Sequence, residues 1–350
     1  MATGMPLHGS TKPSRKWIQR RIDQLDPEAD YAEIYRLAIM YGTSNFLRNW
    51  AFALNMPHFA IPRRTAEAVY REGRGKLLRF REDRVDDTSG HVFVWGEHGP
   101  DSPYSLASID IINKLHAHWA REYPDAFAHA EDYVYVACFE ATNMHSAMRT
   151  LGLPGLPEKQ KIAAHRFWYG IASHMTVDTD RTITEAAHIP DDFDGMVRFC
   201  EGYENRDWGD NEPGHRLTRT VLDQFAERWF PRWLRPLGEA MVTVFYSPGM
   251  LRVHRIPEPK PVWRGLARTV MKARFLYSRF LQADPAESTP DRRRRMAAEG
   301  LCPYSAVDVA VHRAVRRDHG DMPDVDSACP HEPVPLRRTP RADVVDQPVV

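Results

Sequence analysis

The chain has 350 residues, with 47 basic and 47 acidic side chains and a hydrophobic content of 43%. A chain of this length and content can bury a sizeable core, as one large domain or as two modest ones. The formal net charge is +0, so composition provides no general attraction to nucleic acid, and no nucleic-acid partner is expected.

The spacing of the cysteines and the absence of long apolar runs indicate the cellular compartment in which we expect the protein. The four cysteines form no Cys-x-x-Cys pair, which favours a reducing environment without a disulfide framework: Cys138, Cys200, Cys302 and Cys329. The first residues are polar and basic, and no run of about 18 apolar residues occurs. We therefore expect a cytoplasmic protein without a signal peptide or a transmembrane segment, at most peripheral to a membrane.

The first third of the chain predicts helices and one strand-like passage. A basic arm occupies residues 1–25, and Asp26-Pro27-Glu28 is a helix start with Asp as N-cap and Pro at the first position. Helical patterns follow over 31–40, 46–54 and 62–73. Residues 76–88 are dense in charge, which is typical of a solvated helix face. HVFVWG, residues 91–96, is the only passage with strand character.

The centre of the chain, residues 109–152, predicts two helices joined by a short loop. Ile109, Ile112, His116 and Trp119 fall at i, i+3, i+7 and i+10, so one stripe of the first helix presents three apolar groups and one imidazole. Residues 133–148 are apolar nearly all round, which predicts a helix buried on most sides. An imidazole facing such a helix must be satisfied by a hydrogen bond or by a metal, and both alternatives remain open at this point.

The last part of the chain predicts further helices over 158–177, 191–203, 215–235, 236–246, 262–282 and 304–317. Residues 284–295 read as a charged linker, and the last thirty or so residues are Pro-rich and polar, which predicts disorder. The predicted fold class is therefore all-α: a basic arm (1–25), one multi-helix domain (26–283), and a linker, short helix and tail (284–350).

Several kinds of site are excluded by missing motifs. A di-iron bundle needs two Glu-x-x-His pairs, and only Glu185-Ala-Ala-His188 is present. Cys-x-x-Cys-His for covalent haem, Gly-x-Ser-x-Gly and a Gly-rich phosphate loop are absent, and the surroundings of Cys200 do not favour thiolate-ligated haem. What remains is histidine-ligated, non-covalent haem in an all-helical pocket, or no cofactor.

Three short motifs, in order along the chain, resemble those of one oxygenase family. They are Arg84-Val-Asp-Asp-Thr88, then Leu115-His116, then Glu131-Asp132. Their order and spacing over residues 30–263 resemble the family that joins the bacterial rubber oxygenases (latex-clearing proteins) to the fungal MpaB-type oxygenases. The passages YRLAIMYGTSNFLRNWAF and LGLPGLPEKQK are most similar to the fungal-type branch.

The resemblance implies an all-α fold around one haem b, with His116 as the proximal iron ligand and Arg84 and Thr88 on the distal side. Arg84 and Thr88 are four residues apart and share a helical face, so both can point into one pocket and hydrogen-bond dioxygen. The alternative is a surface charge beside a helix-terminal threonine. Asp87 stands where the rubber oxygenases have a basic residue, which argues against polyisoprene as substrate. By rough position, Glu67 and Glu72 are candidate general bases.

The function expected from these features is that of a haem b-dependent oxygenase that uses dioxygen. Its substrate would be an apolar, olefinic or isoprenoid-like small molecule, with cleavage or oxygenation of a C=C bond. The alternatives are a non-catalytic helical haem- or lipid-binding protein and a purely structural bundle. A cofactor of this kind would give the purified protein a strong Soret band.

The predicted helix over 262–282 suggests a place of action. Arg264, Arg268 and Lys272 line one side of it, and its apolar side carries Trp263, Leu266, Val270 and Tyr277. Such a helix is typical of peripheral contact with an anionic membrane surface, where an apolar substrate would be dissolved. The same pattern is also that of an ordinary surface helix packed on its own core.

Overall fold

The protein is described here from a computed structural model, which covers residues 15–177, 181–301 and 303–319. These residues are almost entirely helical, which confirms the all-α prediction. Within them, one antiparallel pair of two-residue strands, Thr176–Val177 and Arg181–Thr182, is the extent of the sheet structure. The predictions for residues 1–14 and 320–350 lie outside the described residues.

The α-helices follow one another with short connections. In chain order they are α1 (Trp17–Gln24), α2 (Tyr31–Ile39), α3 (Asn45–Asn55), α4 (Arg63–Tyr70), α5 (Lys76–Arg79), α6 (Arg81–His98), α7 (Pro103–Trp119), α8 (Ala130–Thr150), α9 (Glu158–His174), α10 (Ile183–Ala186), α11 (Phe193–Glu204), α12 (Glu212–Trp229), α13 (Arg235–Thr243), α14 (Pro248–Val253), α15 (Pro261–Leu276), α16 (Thr289–Ala298) and α17 (Ala306–His319). Short 3-10 turns occupy Met56–Ala60, Arg71–Gly73, Pro124–Phe127 and Arg232–Leu234, and one π-helical turn, Tyr277–Leu281, follows α15.

The predicted central pair corresponds to α7 and α8, joined through the 3-10 turn Pro124–Phe127. α8 packs chiefly against α9 and α11. Tyr135, Ala137 and Phe139 point in different directions around its axis and are all buried. A helix that is apolar on most sides must be enclosed by its neighbours, so α8 forms the centre of the main core.

The strand-like passage HVFVWG is helical, and the prediction of a strand was wrong. Residues 91–96 belong to α6, which continues without a break to His98. Phe93, Val94 and Trp95 are consecutive and all buried, so this half of α6 is enclosed by other helices rather than half-exposed like an edge strand. Gly96 allows the close approach, because a Cβ there would lie 2.3 Å from Cε of Met40. Tertiary packing outweighed the local strand propensity of the β-branched and aromatic residues.

Residues that the sequence assigned to a linker and a short helix form α16 and α17. α17 packs against both α6 and α7, and it is fixed there by Asp308, which is 2% exposed. The carboxylate of Asp308 pairs with Arg293 and accepts from the backbone N–H of Ser305 at 2.7 Å. Burial raises the pKa of Asp308, but Arg293 and Ser305 outweigh it, so the net pKa lies below its usual range.

Within the part of the chain that the structure covers, none of the helices combines the length and the apolar character needed to span a lipid bilayer.

Replacement of Asp308 by alanine should destabilise the protein by about 3–5 kcal/mol, because Arg293 would remain largely buried without its countercharge. The native ion pair contributes stability above the unfolded-state pKa of about 4, and this contribution is lost as pH falls through the lower folded-state pKa. Urea unfolding at neutral and acidic pH measures both effects. Asp318→Asn, which removes a carboxylate paired with Arg317 at the surface, should cost less than about 0.5 kcal/mol. Equal losses in the two variants would contradict this account.

Candidate functional site

One face of α6 carries three polar side chains at helical spacing. Arg84, Thr88 and His91 fall at i, i+4 and i+7, so they lie in one row along the helix. The Arg84 guanidinium donates to the hydroxyl of Thr88, and that hydroxyl donates to the backbone carbonyl of Arg84 at 3.0 Å. The structure therefore places Arg84 and Thr88 together, as their spacing predicts, and adds His91 to them.

His116 of α7 lies close to this row. Burial, followed by the positive charge of Arg84, lowers the pKa of His116 to about 4. The same two causes lower the pKa of His91 to about 3, and His116 itself contributes to that shift. Arg84 is thus near both imidazoles, and all three groups belong to one site in which both histidines are neutral at pH 7.

We infer that the three groups line a hollow. Burial is the largest cause of the shifted pKa of Arg84, His91 and His116. Each side chain nevertheless keeps part of its surface accessible to solvent. Side chains that protein surrounds on most sides and that still contact a water-sized sphere can border a recess of the surface or an internal space. Such a space with converging polar groups is the usual setting of a small-molecule or cofactor site.

The His116 imidazole is suitable as a metal ligand. Its Nδ1 lies 3.5 Å from the hydroxyl of Tyr133, and its ring packs against Phe127 with centroids 5.0 Å apart. Nε2 has no hydrogen-bond partner among the described residues. A neutral imidazole with one unengaged nitrogen is the form that binds iron.

His91 is a site residue that the sequence reasoning missed. Its Nδ1 is 2.7 Å from the hydroxyl of Ser108, which also accepts from the indole N–H of Trp95 at 2.9 Å. These bonds fix the ring and leave Nε2 of His91 without a partner in the described part of the chain. The spacing of seven residues from Arg84 was a usable signal, but the assignment of residues 91–96 to a strand concealed it.

A second arginine near the hollow lacks a countercharge. Nε of Arg71 is buried without a hydrogen-bond partner, and the guanidinium lies 4.2 Å from the ring centroid of Trp119. The charge of Arg71 contributes to lowering the pKa of Arg84, after burial, so the two cations are near each other. Neither is in an ion pair within the described residues, and Asp87, which could neutralise Arg84, pairs with Lys76. An anionic ligand group would be stabilised here.

The backbone at Arg71 is strained. Arg71 and Glu72 have φ values of 48° and 53°, in the left-handed region that non-glycine residues seldom occupy. Each such residue costs on the order of 1–3 kcal/mol, and such strain is concentrated at functional sites. With this backbone conformation, the Arg71 guanidinium lies over the ring of Trp119, which is one turn beyond His116 on α7.

Glu140 is a further titratable group that the sequence reasoning missed, although a carboxylate within an otherwise apolar helix was a visible signal. Both of its oxygens accept from Nδ2 of Asn55, at 2.9 and 3.0 Å. Burial raises its pKa to about 7, and the amides of Asn55 and Asn143 oppose the shift. Glu140 lies two turns along α8 from Tyr133, so the two share a face of the helix.

The two carboxylates suggested as general bases have a different environment. Glu67 pairs with Arg63, and Glu72 pairs with Arg74, and all four side chains are exposed. Neither carboxylate is enclosed by protein, whereas a general base active near neutral pH usually needs burial to raise its pKa. Of the carboxylates considered, Glu140 has that environment.

The remaining candidates do not form metal sites. Glu185 is engaged in a capping box with Thr182, and His188 is 74% exposed. Cys200 is buried beside Thr142, and burial raises its thiol pKa well above the usual range. Among the described residues, no three His, Cys, Asp or Glu side chains are grouped so that they could hold a metal ion between them. A haem ligated by one histidine would not need such a group.

Two surface clefts lie elsewhere and have different linings. One, of about 240 Å³, is lined mostly by charged residues that include Lys161, Arg166 and Asp192. The other, of about 410 Å³, is bordered by Pro248, Leu251, Arg252, Ile256 and Glu258. Neither is lined by Arg84, His91 or His116, and neither joins an unengaged imidazole to an unpaired guanidinium.

Comparison with known proteins does not identify the chain: no protein-family model matches it, and no curated protein sequence matches it.

Glu140→Gln should stabilise the protein most at alkaline pH. The carboxyl favours its proton in the folded state, so its stabilising contribution is complete below the unfolded pKa of 4.5 and is lost as pH rises through about 7. Relative to the native chain, the glutamine variant should gain about 1–3 kcal/mol between pH 4.5 and pH 8. Denaturant unfolding across this range measures the difference. Glu201→Gln, at an exposed position of α11, is the control, and a pH-independent effect of Glu140→Gln would contradict the prediction.

Proposed function

We propose that the protein is a haem b-dependent oxygenase that acts on an apolar, olefinic or isoprenoid-like small molecule. The observation that carries the proposal is the neutral imidazole of His116, with Nε2 unengaged, beside the guanidinium of Arg84 in one hollow. This pairing provides a ligand on one side of a cofactor and a cationic hydrogen-bond donor near it. The resemblance of the Arg84-to-Thr88 and Leu115-His116 motifs to the MpaB-type and rubber oxygenases supports the same reading.

The residues around the hollow fit haem in three respects. Nε2 of His116 is available for the iron. Arg71, with its buried unpartnered Nε, would pair with a propionate carboxylate. Phe127, Trp119 and Tyr133 offer aromatic surface to the macrocycle. Haem, when bound, supplies the redox-active iron at which dioxygen is reduced.

The polypeptide's own part is to bind, orient and move protons. Arg84 donates a charge-assisted hydrogen bond to a small polar molecule held in the hollow, and Thr88 fixes the direction of the guanidinium. Glu140, with its pKa near neutrality, can hold or release a proton on the same side of α8 as Tyr133. The half-buried apolar residues of that face, Val136 and Met144, exclude water and contact an apolar substrate.

A non-catalytic haem protein is the second candidate, and His91 favours it. Because His91 and His116 both have an unengaged Nε2 near Arg84, both residues could hold the iron of one haem. A haem with two histidine ligands has no open position for dioxygen, and such a protein would carry electrons or sense haem. The absorption spectrum separates the two: a five-coordinate, high-spin ferric haem supports the oxygenase, and a six-coordinate, low-spin haem supports the alternative.

His116→Ala should abolish stoichiometric retention of haem, because the variant lacks the ligand nitrogen. His118→Ala and His174→Ala should retain most of it, since both remove an imidazole without touching the hollow. His91→Ala should also retain haem under the oxygenase proposal. The measurement is the haem-to-protein ratio after gel filtration, together with the ligand-field spectrum. Full occupancy in His116→Ala would exclude His116 as the ligand, and loss of haem in His91→Ala alone would transfer the role to His91.

Arg84→Ala should bind haem nearly normally and lose turnover of an alkene by about a hundredfold to a thousandfold, the usual cost of removing one preorganised donor. Thr88→Ala should lose less. Arg84→Lys should rescue poorly, because an ammonium on a flexible stem does not reproduce the planar guanidinium. Oxygen consumption and haem content are measured side by side, with Arg81→Ala, an outward arginine of the same helix, as control. Unchanged turnover in Arg84→Ala would refute its distal role, and joint loss of haem and folding would make Arg84 structural.

A further inference from the structure

A row of apolar side chains is exposed to solvent along α15 and the π-helical turn that follows it, Tyr277–Leu281. Only Ala267 and Met271 of α15 are buried, while Val262 is 68% exposed and Phe280 63% exposed. Of the four apolar residues that the sequence placed on one side, Trp263 packs against the core and the other three are exposed. The whole exposed set is Val262, Leu266, Val270, Leu276, Tyr277, Phe280 and Leu281.

This face is turned away from the protein. With 100° between successive residues of a helix, the mean direction of Val262, Leu266 and Val270 is roughly 120° from that of Ala267 and Met271. The core contact of α15 therefore does not cover the exposed row. An ordinary surface helix packs its apolar row inward, whereas α15 packs Ala267 and Met271 inward and leaves a second apolar row exposed. Contiguous exposed apolar surface of this kind marks an interaction site.

The charge of the same segment is of one sign. Residues 261–282 contain five basic side chains and no acidic one, in a chain whose formal net charge is +0. Within the described residues only Arg264 of these five is in an ion pair, with Glu258 at 2.8 Å. The five are Arg264, Arg268, Lys272, Arg274 and Arg279.

The cations flank the apolar row. Lys272 lies about 80° from Val262 around the helix axis, and Arg274 lies about 40° from Val270 on the other side of the row. Arg264 and Arg268 are on the opposite side of α15, where Arg268 reaches the backbone carbonyl of Thr150 at the end of α8. At the other end of the segment, Arg15 and Lys16 donate to the backbone carbonyls of Leu281 and Ser278. Long basic side chains in these positions can extend to a charged plane while the apolar row enters a less polar layer.

We propose that this face docks the protein on the surface of an anionic lipid bilayer. An apolar row next to unpaired cations is complementary to acyl chains beneath a layer of negative headgroups. Nucleic acid would engage the cations and leave the apolar row in water, so it fits less well. The proposal does not depend on haem. Docking would also bring the protein to the phase in which an apolar substrate dissolves.

The first test uses the full-length chain and flotation with phosphatidylcholine vesicles, with and without phosphatidylserine. The expected result is flotation with the vesicles that contain phosphatidylserine, and its weakening at high salt, because the headgroup attraction is screened. No flotation with the anionic vesicles at low salt would overturn the proposal.

Two paired variants locate the contact. Lys272→Gln with Arg279→Gln should weaken binding about thirtyfold, since each basic residue near an anionic surface contributes about a factor of five. Arg121→Gln with Arg198→Gln changes the net charge equally at exposed positions elsewhere in the protein and should have little effect. Equal losses in the two pairs would mean that net charge alone attracts the protein to the vesicles, and this result would overturn the assignment of this face.

The apolar row is tested in the same way. Val262→Ser with Phe280→Ser should weaken vesicle binding at least tenfold and leave the melting temperature unchanged, because both side chains are already exposed. Tyr169→Ser with Leu301→Ser is the matched control at exposed apolar positions elsewhere. Sedimentation velocity is run in parallel. A native dimer that the Val262/Phe280 variant dissociates, with vesicle binding unaltered, would make the face an interface between two copies and overturn the proposal.

Discussion

The hollow between α6 and α7 depends on one electrostatic constraint, the enclosure of the Arg84 guanidinium beside two imidazoles. Burial, and after it the positive charge of Arg84, makes a charge on either imidazole costly, so His91 and His116 are both held neutral. Neutral imidazoles can accept a metal or a proton, whereas imidazolium ions cannot. Arg84 and Arg71 together give the hollow an excess of positive charge. An anionic cofactor would supply the negative charge that balances it.

The helices that create this constraint are held together from outside the central core. α17 packs across both α6 and α7, and its position is fixed by the buried pair of Asp308 and Arg293. Asp308 also acts on the hollow directly, because its negative charge opposes the lowering of the His91 pKa. A segment near the end of the chain thus contributes to the arrangement of residues that are more than two hundred positions away.

The hollow and the apolar face of α15 adjoin different parts of α8. Tyr133, beside His116, is near the start of α8, while Arg268 of α15 reaches Thr150 at its end. Seventeen residues of helix separate these two points, or about 25 Å. Glu140 and Met144 lie between them on the face of α8 that is only partly buried. One rigid helix therefore connects the proposed chemistry with the proposed docking surface.

The sequence by itself determined the helical class, the succession of α7 and α8 with a short connection between them, and the common face of Arg84 and Thr88, because these follow from periodicity over neighbouring residues. It did not determine the state of residues 91–96, whose β-branched and aromatic side chains became helical when other helices enclosed them. It could not reveal the proximity of Arg71, Arg84, His91 and His116, which is a contact between separate elements. Nor could it say which side of α15 faces the core, since an amphipathic pattern fixes two faces but not their partners. Only the packing of the whole chain decided that Ala267 and Met271 are buried and that Val262 and Leu266 remain exposed.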